Sequence, residues 1–208
     1  MRIGIFGGSF NPPHLGHMLI ATEVKEKAEL DRLIFMPCAI QPHKAERVVP
    51  DGTHRFNMVC RSIGNNSGFE VSELEIKAGG KSYTAKTLEE LGKIFPDDRL
   101  CFIVGADSLC EMDTWFCPEY IFRSAEIIVT MRGGMDEREL DNSINFLRNK
   151  YNADIRKVQM NVIEMSSSNI RQRIAEGKSI KYMVSDDVIE YIRENSLYEG
   201  CSKGYAEV

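Results

Sequence analysis

Short apolar runs separated by stretches of helical periodicity recur along this chain from its first residues. Ile3-Gly4-Ile5-Phe6 is apolar on consecutive positions and reads as a buried strand. It leads through a glycine-rich turn into a segment carrying Leu15, Met18, Leu19, Thr22 and Val24, which predicts a helix over residues 15–29 with one apolar face. Arg32 to Pro37 is again apolar with little interruption, as expected of a strand covered on both faces. Strand, helix and strand at this spacing make a βαβ unit, which crosses over right-handed. A doubly wound sheet is therefore expected, with its ligand at the carboxyl ends of the strands.

From Cys38 to Pro50 the periodicity lapses, and a polar loop beside the first turn is expected. Asp51 to Gly64 reads as a helix with Met58, Val59 and Ile63 inward and Gly64 as its stop; His54 on it is expected at the surface or as a cap. Phe69 and Val71 alternate, but Leu74 and Ile76 fall out of step, so residues 69–76 predict a strand with an irregular edge. Gly79-Gly80 marks a turn, after which Thr84 or Ser82 is placed to cap a helix through Leu88, Leu91 and Ile94. Arg99 to Val104 is the clearest buried strand. Glu126 to Thr130 predicts another, Asp136 to Tyr151 an amphipathic helix, and Asp154 to Ile163 the last strand. A helix with Ile170 and Ile174 inward then runs to Gly177, and Ser185-Asp186-Asp187 caps a final one. Residues 1–198 are expected to form one domain, and 199–208 a disordered tail.

Composition narrows the class. The chain has 208 residues, 43% hydrophobic and 27% charged, which suits a soluble globular domain. A net charge of −5 argues against non-specific binding of nucleic acid. No apolar run approaches membrane-spanning length, and the first residues read as a strand rather than a secretory leader, so a cytoplasmic protein is expected. The six cysteines form no CxxC pair and are expected to be free thiols; the four histidines all fall between His14 and His54, which disfavours a structural zinc site.

The chemistry concentrates in Gly7 to His17, GGSFNPPHLGH. Gly7, Gly8 and Ser9 let backbone N–H groups approach phosphate oxygens at a helix N-terminus, and Pro12 and Pro13 stiffen the entry. His14 and His17, three residues apart, can donate hydrogen bonds to oxygens that gain charge. Lys44, in Gln41-Pro42-His43-Lys44, is a mobile point charge within reach of a phosphate chain. Gly105 at a strand end admits a flat ligand, and Asp107 beyond it can accept hydrogen bonds or support a metal shell. Trp115, the only tryptophan, lies in a polar connection and suits stacking on a planar ring. In Met165-Ser166-Ser167-Ser168-Asn169-Ile170-Arg171 the serines can cap a helix, and the Arg171 fork suits a pair of phosphates.

GGSFNPPHLGH resembles the GxFxPxHxGH signature of the HxGH nucleotidyltransferase superfamily, and Met165 to Arg171 resembles its second, (I/M)SSTxxR-like signature. Pro42-His43-Lys44, Ser82-Tyr83-Thr84, Phe102 to Ser108 and Thr114-Trp115 narrow the resemblance to the bacterial nicotinate mononucleotide adenylyltransferases, through nearly the whole chain to about Tyr198. The resemblance implies a Rossmann-like doubly wound, mostly parallel sheet with helices on both faces. It implies adenylyl transfer from ATP to nicotinate mononucleotide, with Mg²⁺ on the phosphates and few or no direct protein ligands. His14, His17, Lys44 and Arg171 would be catalytic. Gly7, Gly8, Ser9, Phe10, Gly105, Arg132, Ser167 and Ser168 would bind ATP, and Tyr83, Thr84, Asp107, Trp115 and Phe116 the pyridine nucleotide. Phe116 stands where many members carry tyrosine, and Ser168 where threonine is usual. A homo-oligomer is compatible; nucleic-acid and membrane partners are not expected. The alternatives are transfer to another acceptor, such as phosphopantetheine, and a non-catalytic nucleotide sensor.

Overall fold

The apolar runs become parallel strands, in a computed structural model that describes residues 1–40, 50–131, 137–161 and 164–199. The strands are β1 (Arg2–Gly8), β2 (Arg32–Pro37), β3 (Phe69–Val71), β4 (Arg99–Gly105), β5 (Glu126–Met131) and β6 (Ile155–Gln159). They make one sheet in the order β3-β2-β1-β4-β5-β6, and every pairing is parallel. This is the Rossmann-like order, with the direction of winding reversed between β1 and β4. Such a reversal opens a crevice at the carboxyl ends of the two strands, and that is where the site lies.

The helices are α1 (Leu15–Lys27), α2 (Gly52–Ile63), α3 (Leu74–Ala78), α4 (Thr84–Ile94), α5 (Ala106–Glu111), α6 (Pro118–Ser124), α7 (Glu137–Tyr151), α8 (Ser167–Ala175) and α9 (Asp186–Glu194). Alternation along β2 assigns them to faces. Ile34 and Met36 join a core with Leu88 and Leu91 of α4, Leu109 of α5 and Leu140 of α7. Leu33 and Phe35 join the opposite one, with Ala21 and Val24 of α1 and Val59 of α2. A third cluster packs Met58 of α2 against Ile170 of α8 and Val188 and Ile192 of α9. It docks the C-terminal helices against the first half of the chain.

Several expectations change in detail. The inner side of α1 is Gly16, Ala21 and Val24, whereas Leu19 is 41% exposed; small residues let this helix lie close to the sheet. β3 stops at Val71, and Leu74 and Ile76 belong to the single turn of α3, which is why they break the alternation. Neither Ser82 nor Thr84 caps α4: its N-cap is Tyr83, with no side-chain cap bond, and the Ser82 hydroxyl instead accepts the Ala39 N–H at 2.9 Å. Asp51 caps α2, and the His54 ring, half-buried, meets the Tyr191 hydroxyl at 2.9 Å, so it ties α2 to α9. The last strand ends at Gln159; residues 162–163 and the expected tail from 200 lie outside the described residues. The five described cysteines are free, and burial pushes the Cys101 thiol up to about 11, which leaves it unreactive at neutral pH. Among the described residues no helix is long and apolar enough to cross a membrane.

Candidate active site

The turn after β1 is shaped by what its glycines leave out. A Cβ on Gly8 would stand 3.1 Å from the Phe10 ring, which is buried beneath the turn. The left-handed residue here is Phe10, at φ 46°, so the glycines contribute missing side chains rather than unusual dihedrals. Pro12 and Pro13 precede the N-cap of α1, which is His14. His14 and His17 close this helix end reciprocally: the His17 N–H donates to His14 Nδ1 at 3.3 Å, and the His14 N–H to His17 Nδ1 at 3.2 Å. This is a capping box built from imidazoles. Because both Nδ1 atoms accept, each neutral ring carries its proton on Nε2. The rings stack with centroids 3.6 Å apart. Gly16 belongs to the same construction, since a Cβ there would meet His14 Nδ1 at 3.0 Å and the Met165 Cβ at 3.5 Å.

The C-terminal part of the chain closes onto this turn. Arg171, buried within α8, donates from Nη1 to the Asn11 carbonyl at 2.7 Å and from Nη2 to the Ser168 hydroxyl at 3.1 Å. The Ser167 hydroxyl donates to the Pro12 carbonyl at 2.8 Å, and the buried Tyr198 hydroxyl to Asn11 Oδ1 at 2.7 Å. Ser166 provides the cap of α8 by accepting the Asn169 N–H. Ser167 therefore braces the first turn, while Ser168 sets the Arg171 fork.

Beside the turn, at the reversal between β1 and β4, lies a cavity of about 330 Å³. Gly7, Gly8, Tyr83, Thr84, Gly105, Trp115 and Phe116 line it, and so do Phe102, Cys38 and Glu75. Trp115 packs edge-on against Phe102 with centroids 6.3 Å apart, and Phe116 lies 4.9 Å from Tyr83. Phe6, also in the lining, has its ring 6.2 Å from that of His17, so the cavity and the imidazoles adjoin. Asp107 is exposed in the first turn of α5 and is not part of this lining; the Ser9 carbonyl and the Phe10 ring point into the scaffold. Lys44 and Arg132 lie outside the described residues.

Two residues here were not singled out from the sequence. Arg55, buried on α2, donates to the carbonyls of Pro50 at 3.1 Å, Ser9 at 2.9 Å and Ala39 at 3.0 Å. It clamps the turns after β1 and β2 together. Its signal was legible: Arg55 precedes Met58 and Val59 by three and four positions, which puts a charge on the apolar face of its helix. Arg55→Met leaves those carbonyls without their donor and is expected to cost about 3 kcal/mol, a fall of roughly 6–12 °C in the melting midpoint. Calorimetry checks this, and an unchanged midpoint would remove the clamp. Glu75 is the other. Its half-buried carboxylate accepts the Thr87 hydroxyl at 2.6 Å and has the Ser82 hydroxyl beside it. Burial pushes the Glu75 carboxyl above the usual carboxylate range, and the two hydroxyls pull it back.

Comparison with known proteins shows the family and the fold. Residues 5–173 match the family model described as cytidylyltransferase-like. The probable nicotinate-nucleotide adenylyltransferase of Carboxydothermus hydrogenoformans is 42% identical over 197 residues, covering 95% of this chain and 98% of the relative. That of Clostridium beijerinckii is 40% identical over 201 residues, covering 95% and 98%. The fold is similar to that of the Plasmodium falciparum nicotinic acid mononucleotide adenylyltransferase complexed with NaAD, with a TM-score of 0.77 at 20% identity, over 95% of this chain and 97% of that one.

Proposed function

Since the chain belongs to the cytidylyltransferase-like family, among its nicotinate-nucleotide adenylyltransferases, we propose that it transfers the adenylyl group of ATP to nicotinate mononucleotide. The products are nicotinate adenine dinucleotide and pyrophosphate, a step of NAD biosynthesis. The observation that carries this reading is the meeting of the two chain ends at one turn: Arg171 is held on the Asn11 carbonyl, three residues from the first imidazole. Cationic and neutral donors for a single phosphate chain are thereby gathered beside a cavity of a size suited to a small ring.

The acceptor phosphate oxygen is already anionic, so the chemistry requires no general base and no covalent intermediate. It attacks the α-phosphorus in line and displaces pyrophosphate. The chain contributes position and charge stabilisation. His14 and His17 donate from Nε2 to α- and β-phosphate oxygens, and Arg171 and Lys44 receive the developing pyrophosphate. The Ser168 hydroxyl is placed to reach the same oxygens. Bound to ATP, Mg²⁺ would supply charge shielding for its phosphates. Nucleotide and water would hold the ion, with few or no direct protein ligands. The reaction is assigned to the cytoplasm.

The pyridine ring is assigned to the Trp115 side of the cavity, where a cationic ring gains from the indole face. Its carboxylate is assigned to the backbone N–H groups at the start of α4, next to Tyr83 and Thr84. Trp115→Ala is expected to raise KM for nicotinate mononucleotide about tenfold, from the loss of cation–π stacking worth roughly 1–2 kcal/mol, while KM for ATP stays within about twofold. Equal rises in both would remove the indole from the stacking position. The whole reading is tested by supplying ATP with nicotinate mononucleotide or phosphopantetheine and measuring pyrophosphate and the dinucleotide. Release with phosphopantetheine alone assigns another acceptor, and release with neither leaves a sensor.

A further inference from the structure

Glu75 is the acidic side chain in the wall of the cavity nearest the start of α4, and the family reading gives it no task. Its place is unusual for a carboxylate: it sits half-buried beside the pocket proposed to receive an anion. Desolvation makes that costly unless the oxygens are well bonded. They are. The Thr87 hydroxyl lies 2.6 Å from Glu75 Oε1 and 3.3 Å from the Tyr83 carbonyl, so its single proton goes to Glu75. The Ser82 hydroxyl accepts the Ala39 N–H at 2.9 Å and lies beside the same carboxylate. With its oxygen already accepting from the backbone, Ser82 keeps its proton free to turn toward Glu75. Ser82 and Thr87 stand on either side of Tyr83 and Thr84, whose backbone opens α4.

We propose that Glu75 is a positioning residue for the pyridine-nucleotide pocket, drawing the Ser82 and Thr87 hydroxyls together and so holding the backbone N–H groups of Tyr83 and Thr84 at the cavity wall. The connection extends further. Arg55 Nη2 holds the Ala39 carbonyl and Nη1 the Ser9 carbonyl, so one run of hydrogen bonds joins the phosphate turn to the start of α4. Arg55 is also a cation whose field reaches the Glu75 carboxylate and partly offsets its burial. The proposal rests on the pocket being the one that takes nicotinate mononucleotide.

The test compares Glu75→Gln, Thr87→Val and Thr87→Ser in the full chain. Trp115, the single tryptophan and part of the same wall, reports binding through its fluorescence. Glu75→Gln presents an N–H₂ to one hydroxyl where an oxygen accepted it. It is expected to raise Kd and KM for nicotinate mononucleotide about tenfold, the weight of one hydrogen bond, with KM for ATP unchanged. Thr87→Val is expected to follow it, and Thr87→Ser, which keeps the hydroxyl, to restore wild-type values. The double variant Glu75→Gln/Thr87→Val is expected to be no worse than Glu75→Gln alone. Equal rises for both substrates, or additive losses in the double variant, overturn the proposal. Wild-type protein that binds nicotinate mononucleotide without releasing pyrophosphate overturns the transferase reading alone, because the Kd series still decides the role of Glu75. Wild-type protein that does not bind it overturns both.

Discussion

His17→Ala is expected to release pyrophosphate about a hundred- to a thousandfold more slowly than the wild type, the loss of roughly 2.7–4 kcal/mol seen when a preorganised donor to a developing charge is deleted. The structure separates two jobs of this side chain. Nδ1 accepts the His14 N–H at 3.2 Å and holds the helix entrance. Nε2–H is the donor assigned to the phosphate. Asparagine reproduces the first job, because its Oδ1 occupies the place of Nδ1, and it cannot reach as far as Nε2. His17→Asn is therefore expected to keep the melting midpoint and lose turnover as fully as His17→Ala. Single-turnover rates with ATP and nicotinate mononucleotide decide it. An asparagine variant at wild-type speed would show that the imidazole serves the fold and not the chemistry.

Arg171→Met is expected to damage both turnover and stability. Buried Arg171 is the donor to the Asn11 carbonyl at 2.7 Å, and leaving that carbonyl unpaired costs about 1–3 kcal/mol. On top of this, kcat/KM for ATP is expected to fall about a hundred- to a thousandfold, through loss of a charge-assisted donor at the pyrophosphate. Arg171→Lys keeps the charge but replaces a planar fork by a single point, which cannot hold Asn11, Ser168 and a phosphate together. It is expected to recover no more than about tenfold of the loss, one hydrogen bond's worth. Normal KM for ATP and normal kcat in the methionine variant would detach Arg171 from the reaction and leave it as a strut.

The parts of the candidate site that were legible in the sequence are those where several residue types at fixed spacing favour one reading over a plain turn. Two imidazoles and two prolines after a strand, and an arginine after three serines, mark the turn proposed to hold phosphate before any contact is known. The buried strands were legible for the same reason, since Arg32 to Pro37 and Arg99 to Val104 leave little polar surface to expose. What escaped were contacts decided by tertiary partners. Ser82 and Thr84 look like caps because capping is local, yet Ser82 turns to Ala39, 43 positions away. Leu19 looks inward by periodicity, but the sheet is approached through Gly16 and Ala21. Glu75 carries no local signal at all. Its importance comes from the cavity beside it and from a threonine on the next helix.

The bond from Tyr198 to Asn11 spans 187 positions, and it bears on how the protein is made. Translation completes the sheet when β6 has emerged, with every strand of the scaffold available to pair. At that moment the first turn still lacks the guanidinium of α8 and the phenol that anchors its asparagine. A chain ending at Gln159 therefore has every strand of the sheet and, on the role proposed for Arg171, is expected to be inert toward ATP. The contacts that complete the first turn come after the sheet, from Ser167, Arg171 and Tyr198.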